Sequence, residues 1–225
     1  MNSAVPTVAF KLNGKAIEAL PGETIIEAAL RDGVDIPHLC YKPGMRPDGN
    51  CRACMVEIKG ERVLAPSCCR TPTAGMEVAS DSPRALHAQK MIVELLAADV
   101  PEKLYRPDSE LEYWKRTLRV GRPRFARRSQ PAPDVSHAAM AVNLDACIQC
   151  TRCVRACREV QVNDVIGYAF RGAHSKIVFD LDDPMGESTC VACGECVQAC
   201  PTGALAPARE AYLAPTDRAV ASLCP

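Results

Sequence analysis

The chain has 225 residues, of which 48% are hydrophobic, and its 27 basic and 27 acidic residues balance. This length suits one large or two small domains, and the charge balance gives no argument for a nucleic-acid or membrane partner. The sequence shows no signal-peptide pattern and no apolar run of about 18 residues, so we expect a soluble, cytoplasmic protein. Fourteen cysteines in a reducing compartment are typical of metal ligands rather than disulfides.

Residues 1–80 predict a β-grasp module. The Asn13-Gly14 pair favours a type I′ turn and therefore a hairpin. Apolar residues on one face of the next segment predict a helix that ends before Gly33. The predicted elements are strands at 7–12, 15–20, 55–58, 62–65 and 76–78 and a helix at 23–31.

Five cysteines in this module predict a 2Fe–2S site. Cys40, Cys51 and Cys54 have the spacing C-x10-C-x2-C, and Cys68 and Cys69 follow. A 2Fe–2S cluster needs four thiolates, which plant-type ferredoxins supply from one long loop and one distant cysteine. Adjacent strand residues point to opposite faces, so only one of Cys68 and Cys69 can face the iron. The alternative is a zinc knuckle at Cys51 and Cys54 with unrelated free thiols.

A connector is predicted over residues 81–134. A helix over 82–98 has Ser82 as its N-cap, and a second helix over 109–118 has a capping box formed by Ser109 and Glu112. The apolar stripe of the first helix comprises Ala85, Ala88, Met91, Ile92 and Leu95. Residues 121–134 are rich in arginine and proline, which indicates a surface linker or, alternatively, a docking strip for an acidic partner.

Residues 135–210 contain two runs with the spacing C-x2-C-x2-C-x3-C, which is the bacterial ferredoxin spacing for two 4Fe–4S cubanes. The fourth cysteine of each run ligates the other cubane in such proteins, and we expect it to start a helix. One predicted ligand set is therefore Cys147, Cys150, Cys153 and Cys200, and the other is Cys190, Cys193, Cys196 and Cys157. Structural zinc and a disulfide framework are the alternatives, but three cysteines within seven residues suit a cubane better.

The neighbours of these cysteines predict the surroundings of the cubanes. Ile148, Val154, Val191, Ala192 and Val197 are expected to keep both cubanes fairly dry. Arg152, Arg155 and Arg158 are candidates for raising reduction potentials or docking a partner, although we expect at least two of them to be solvated helix charges. Cys157 is followed by Arg158 instead of proline, so the turn after this cysteine must be built differently.

The order of these modules resembles iron–sulfur segments of complex I, NAD-reducing hydrogenases, iron-only hydrogenases and cytosolic NAD-dependent formate dehydrogenases. The stretches DGNCRACMVEIKGERVLAPSCCR and DDPMGESTCVACGECVQACPTGAL are most similar to the formate dehydrogenase α subunit. In related 2Fe–2S modules the distance to the Gly75-Met76 pair matches Cys68, so the resemblance implies that Cys68 is the ligand and Cys69 a buried thiol.

Two features of the sequence bear on how far this resemblance extends. Most relatives carry a further 4Fe–4S cluster held by one His and three Cys, whereas AADVPEKLYRPDSELEYW has neither residue type, so we expect this cluster to be absent. The tail at 211–225 ends in SLCP, which resembles the start of the formate dehydrogenase catalytic domain. Cys224 would then be the first ligand of another 4Fe–4S cluster in a longer α subunit, or else a terminal thiol.

The resemblance implies an α+β chain that carries electrons from a pterin site, where formate is oxidised to CO2, toward a flavin partner that reduces NAD. The implied cofactors are one 2Fe–2S and two 4Fe–4S clusters here, with a molybdenum or tungsten pterin and FMN elsewhere in the complex. The partners would be a pterin-containing catalytic domain or subunit and a flavin/NAD-binding subunit. The alternatives are a diaphorase subunit of an NAD-reducing hydrogenase or complex I-like enzyme, and a scaffold that uses clusters only for stability.

Overall fold

The computed structural model describes residues 6–101, 106 and 108–208. The chain divides into two compact units. The first comprises residues 1–96 and 114–124, and the second comprises residues 97–113 and 125–225. The domain limits expected from the sequence stay predictions.

The first unit is built on a five-stranded mixed sheet with the order β2-β1-β5-β3-β4. Its strands are β1 (Val8–Leu12), β2 (Lys15–Ala19), β3 (Met55–Ile58), β4 (Ala65–Pro66) and β5 (Glu77–Ala79). β1 and β2 form the predicted hairpin, with both Asn13 and Gly14 at positive φ, as a type I′ turn requires. β1 pairs with β5 in parallel, whereas β3 is antiparallel to its neighbours.

Helix α1 (Ile25–Arg31) supplies the second layer of this unit. Thr24 and Glu27 form a capping box at its start, which satisfies backbone N–H groups that have no partner within the helix. The helix buries Ile25, Ile26 and Ala29 in a core that also contains Phe10 and Val56. This is the hairpin, helix and strand order that the sequence predicts for a β-grasp module.

Helix α2 (Pro83–Ala98) begins at the predicted Ser82 cap, whose hydroxyl accepts a hydrogen bond from the Ala85 N–H. Its buried face differs from the predicted stripe. Ala85, Gln89 and Val93 are buried, whereas Leu95 is 45% exposed. Gln89 lies on the inner face because its side-chain amide donates to the carbonyl oxygens of Met55 and Ser80. Helix α3 (Glu110–Thr117) has the expected capping contact from the Glu112 N–H to Ser109.

The second unit contains two short antiparallel strand pairs. One pairs β6 (Met140–Val142) with β9 (Leu205–Pro207), and the other pairs β7 (Ile166–Ala169) with β8 (Lys176–Phe179). Helix α4 (Arg152–Arg155) and helix α5 (Glu195–Ala199) lie within the two cysteine runs. The core around them is made of aliphatic residues, Phe179 and the buried cysteines. None of the helices in the described part of the chain has the length and apolarity needed to cross a membrane.

Residues 121–134 form no helix, and their arginines make ion pairs within the chain. In the first unit Arg124 pairs with Glu94. In the second unit Arg127 pairs with Asp145 and Arg128 pairs with Asp99. These contacts agree with a linker that packs along its own units.

Candidate metal centres

Four cysteines of the first unit come together in what we call the N-terminal site: Cys40, Cys51, Cys54 and Cys68. The Cys40 sulfur lies within hydrogen-bonding range of the Cys51 and Cys68 sulfurs, and Cys68 also reaches Cys54. Cys40, Cys54 and Cys68 are almost fully buried. The hydrogen bonds from Cys51 and Cys68 lower the pKa of Cys40, and the same contacts raise the pKa of the other two thiols.

The structure contradicts the expectation that Cys69 is a buried thiol. Cys69 is exposed, although its sulfur lies 3.6 Å from the sulfur of Cys68. The reason is a turn after β4, in which the Cys69 N–H donates to the Pro66 carbonyl oxygen at 3.0 Å. This turn directs Cys68 into the core and leaves Cys69 at the surface.

The loop of the N-terminal site has the backbone shape that a cluster needs. Arg52, between the second and third cysteines, has φ +58°, and Gly49 has φ +65°. The Cys40 N–H donates to the Cys51 sulfur at 3.3 Å. Hydrogen bonds from backbone N–H groups to sulfur are a means by which a protein stabilises and tunes an iron–sulfur cluster.

The two cysteine runs of the second unit place residues of positive φ at the same two positions. In the first run Gln149 and Thr151 have positive φ, and in the second run Ala192 and Gly194 at the same two places do. A positive φ costs a residue other than glycine about 1 kcal/mol or more, so three of these four positions hold strain. Such strain persists where the surrounding structure imposes it, and it is concentrated at functional sites. The two runs therefore resemble each other in the backbone geometry of their loops as well as in their cysteine spacing.

Cysteines from the two runs are brought together across the repeat. The Cys150 thiol is close enough to Cys147 and Cys200 for their charges to raise its pKa. Cys196 likewise lies near Cys157, Cys190 and Cys193. We call the first group, with Cys153, site A (Cys147, Cys150, Cys153 and Cys200) and the second group site B (Cys157, Cys190, Cys193 and Cys196).

Neither fourth cysteine starts a helix, contrary to the expectation from the sequence. Cys200 is the C-cap of α5 and is followed by Pro201, which cannot continue the helix. Cys157 lies in a π-helical segment, Ala156–Val160, that continues α4. Because Arg158 replaces proline there, the chain keeps its helical path with one wider turn, and such π segments are often found at functional sites.

Sites A and B differ in exposure. All four site A cysteines are buried, and Ile148, Ile177 and Leu205 line the space between them. At site B, by contrast, Cys193 is exposed and Val191 is 63% exposed. The expectation of two dry cubane sites is therefore correct for site A and wrong for site B, because the Cys190–Cys193 loop lies at the surface.

Burial sets the protonation of the thiols in the polypeptide without metal. It raises the pKa of Cys147 to about 11 and that of Cys196 to about 12, and it raises the pKa of Cys150 and Cys153 as well. Iron binding must therefore displace protons from these thiols. Four thiols, an apolar lining and a Gln149 N–H that donates to the Cys147 sulfur at 3.4 Å fit a cubane at site A.

A single-ion site is not visible in the described residues, since no three His, Cys, Asp or Glu side chains among them are arranged to hold one metal ion. Cys224 lies outside the described residues.

Two buried arginines were not expected from the sequence. Arg152 and Arg155 are each 3% exposed, and only Arg158 of the three is a solvated helix charge. The signal that could have indicated this is their position, since both flank the third cysteine of a ligand loop whose inner face is buried.

Comparison with known proteins assigns the class of both modules. Residues 6–83 match the model of a 2Fe–2S iron–sulfur cluster binding domain, and residues 138–206 match the ferredoxin-like domain of NADH-quinone oxidoreductase subunit 3. The chain thus has a 2Fe–2S domain followed by a ferredoxin-like domain, and it is an iron–sulfur electron-transfer segment.

Particular relatives extend this similarity over most of the chain. The HndD subunit of the NADP-reducing hydrogenase of Solidesulfovibrio fructosivorans is 34% identical over 86% of the chain. A subunit of an NADH-quinone oxidoreductase of Rhizobium meliloti is 31% identical over 86%. The chain spans only 35% and 23% of the length of these two relatives. A crystal structure of an NAD+-reducing [NiFe]-hydrogenase contains a similar chain, with a TM-score of 0.82, 28% identity and coverage of 89% of this chain and 87% of that one.

Proposed function

We propose that the chain passes electrons one at a time through three clusters inside an NAD(P)-linked oxidoreductase complex. Iron–sulfur clusters supply one-electron transfer when bound, because the added charge spreads over several iron and sulfide atoms. The N-terminal site would hold a 2Fe–2S cluster, and sites A and B would each hold a 4Fe–4S cluster. The observation that carries this proposal is the repeated loop geometry at sites A and B, with cysteines exchanged between the two runs.

The residues of the chain have defined tasks in this proposal. Twelve thiolates would hold the iron, and backbone N–H groups of the ligand loops donate to the sulfurs of Cys51 and Cys147. The apolar lining of site A excludes water, which limits the reorganisation of solvent when an electron enters or leaves. The exposed Cys190–Cys193 loop brings site B to the surface, where an electron can be exchanged with another protein.

For the complex itself, we propose a cytoplasmic NAD-dependent formate dehydrogenase. Its molybdenum or tungsten pterin and its FMN would be carried by other parts. The support is the similarity of the cysteine-containing stretches, including the SLCP stretch with Cys224, to that α subunit. The second candidate is the diaphorase part of an NAD-reducing hydrogenase. It is favoured by one observation, the match to a hydrogenase chain over 87% of that chain's length.

The cluster assignment is tested by a pair of cysteine variants in protein purified without oxygen. We expect Cys54→Ala to lose the rhombic EPR signal of a 2Fe–2S cluster and to keep the cubane signals. Cys69→Ala is the matched control, since it removes a thiol from the same loop region and should keep every signal. Loss of a cubane signal in the first variant, or of the 2Fe–2S signal in the second, would contradict the ligand sets.

The choice between the two complexes is tested with the complex isolated through this chain. Reduction of its clusters by formate, but not by hydrogen, is expected for the first candidate. Reduction by hydrogen alone would identify the hydrogenase candidate and reject the formate proposal. The isolated chain is expected to oxidise neither compound, because electron transfer clusters alone cannot activate them.

A further inference from the structure

Arg152 is a buried cation beside site A. Its side chain is only 4% exposed, and it lies between Cys150 and Cys153 in sequence. Its charge acts on the Cys150 thiol. The Nη1 atom donates to the Glu110 Oε2 atom at 2.6 Å, but Glu110 is 38% exposed, so water screens the carboxylate far more than the guanidinium.

Arg155 is a second buried cation next to Cys150. It is 3% exposed, and its Nη2 atom donates to the Cys150 carbonyl oxygen at 3.4 Å. Removing a guanidinium from water is costly unless nearby negative charge compensates for it. A cubane with four thiolate ligands is negatively charged and gains one further negative charge on reduction. Two buried cations are therefore most strongly stabilised when site A holds a reduced cluster.

Site B offers no comparable cation among the described residues. The arginine that follows Cys157 is Arg158, which is 55% exposed and pairs with the 61% exposed Asp164. An exposed ion pair is screened by water and contributes little. The two repeats thus place their positive charge differently, although their loops have the same conformation.

Resting on the proposed function, we propose that Arg152 and Arg155 are positioning residues that set the reduction potential of the site A cubane. Burial by apolar side chains disfavours the more highly charged, reduced state and lowers the potential of site A. The two guanidinium groups oppose this effect, since each attracts the electron that reduction adds. The two guanidinium groups therefore keep the reduction potential of site A from falling far below that of the more exposed site B.

The test is an EPR-monitored redox titration of the loaded chain, with the site A signal identified by its loss in Cys147→Ala. Replacing Arg152 by Gln should shift the one-electron equilibrium of site A about tenfold toward the oxidised form, or about 59 mV to lower potential. Arg152→Lys, which keeps the positive charge, should retain most of the wild-type potential of site A. Glu110→Gln removes the opposing carboxylate and should shift the one-electron equilibrium of site A toward the reduced form. We expect a shift of only about twofold to threefold, because that carboxylate is screened by water.

Arg158→Gln is the matched control and should leave both cubane potentials unchanged. Equal potentials of the site A signal in wild type, Arg152→Gln and Glu110→Gln would overturn the inference while leaving the proposed function intact. Shifts of the same sign in the last two variants would also overturn it, because they would indicate a structural effect. If Arg152→Gln does not retain its site A cluster, the sign of the Glu110→Gln shift decides. A wild-type chain that binds no iron would overturn both the inference and the proposed function.

Discussion

Gly49 lies against Cys69, and this contact allows a quantitative prediction. Gly49 has φ +65°, and a Cβ atom placed on it would lie 2.8 Å from the Cys69 sulfur. The left-handed backbone alone costs alanine about 1–2 kcal/mol. Overpacking against sulfur adds about 1–3 kcal/mol. We therefore expect Gly49→Ala to lower the free energy of unfolding by about 2–5 kcal/mol.

A double-mutant cycle separates the two contributions. In a Cys69→Ala background the sulfur is gone, so Gly49→Ala should cost only the backbone term of about 1–2 kcal/mol. The coupling between the two positions should then be about 1 kcal/mol or more, within the range known for residues in contact. Urea unfolding of the loaded protein, followed by the visible absorption of the 2Fe–2S cluster, provides the measurement. Equal costs of Gly49→Ala in both backgrounds would refute the packing argument, and a Cys69→Ala protein without the cluster would refute the ligand choice.

Two further predictions concern buried polar groups. Gln89→Ala leaves the carbonyl oxygens of Met55 and Ser80 without their donor, so urea unfolding should show a loss of about 1–3 kcal/mol; a loss below about 0.5 kcal/mol would contradict this. In metal-free protein, burial raises the pKa of Cys147 to about 11. Its thiolate fraction should therefore rise about tenfold per pH unit from pH 8 toward that pKa, and so should its alkylation rate measured by mass spectrometry. A pH-independent rate, or alkylation at pH 8 as fast as that of the exposed Cys193, would be inconsistent with this burial.

Local sequence signals predicted most of the secondary structure of the first unit. The Asn13-Gly14 turn, the Ser82 cap and the strand at 55–58 are confirmed, because each depends on neighbouring residues alone. The strand predicted at 62–65 is instead the short Ala65–Pro66 pair. The hairpin of β7 and β8 was not predicted at all, although the apolar run at Ile177–Phe179 is a strand signal.

Tertiary packing determined the burial of several side chains that the local sequence pattern did not predict. The buried face of α2 follows Gln89 because two carbonyl oxygens of the same unit need a donor. Cys69 is exposed because a turn follows β4, and Arg152 is buried although its residue type is usually solvated. At the candidate sites, cysteine spacing and, for Cys68, the family resemblance indicated which thiols lie together, while the exposure of site B and the cations at site A required the structure.

The central claim is that three inorganic clusters are bound within this chain, and Mössbauer spectroscopy of protein enriched in ⁵⁷Fe tests it most directly. About ten irons per chain are expected, of which about two belong to a 2Fe–2S component and about eight to 4Fe–4S components. A colourless preparation that contains zinc instead of iron would contradict the account, as would an iron content near six or fourteen, which corresponds roughly to one cubane fewer or more.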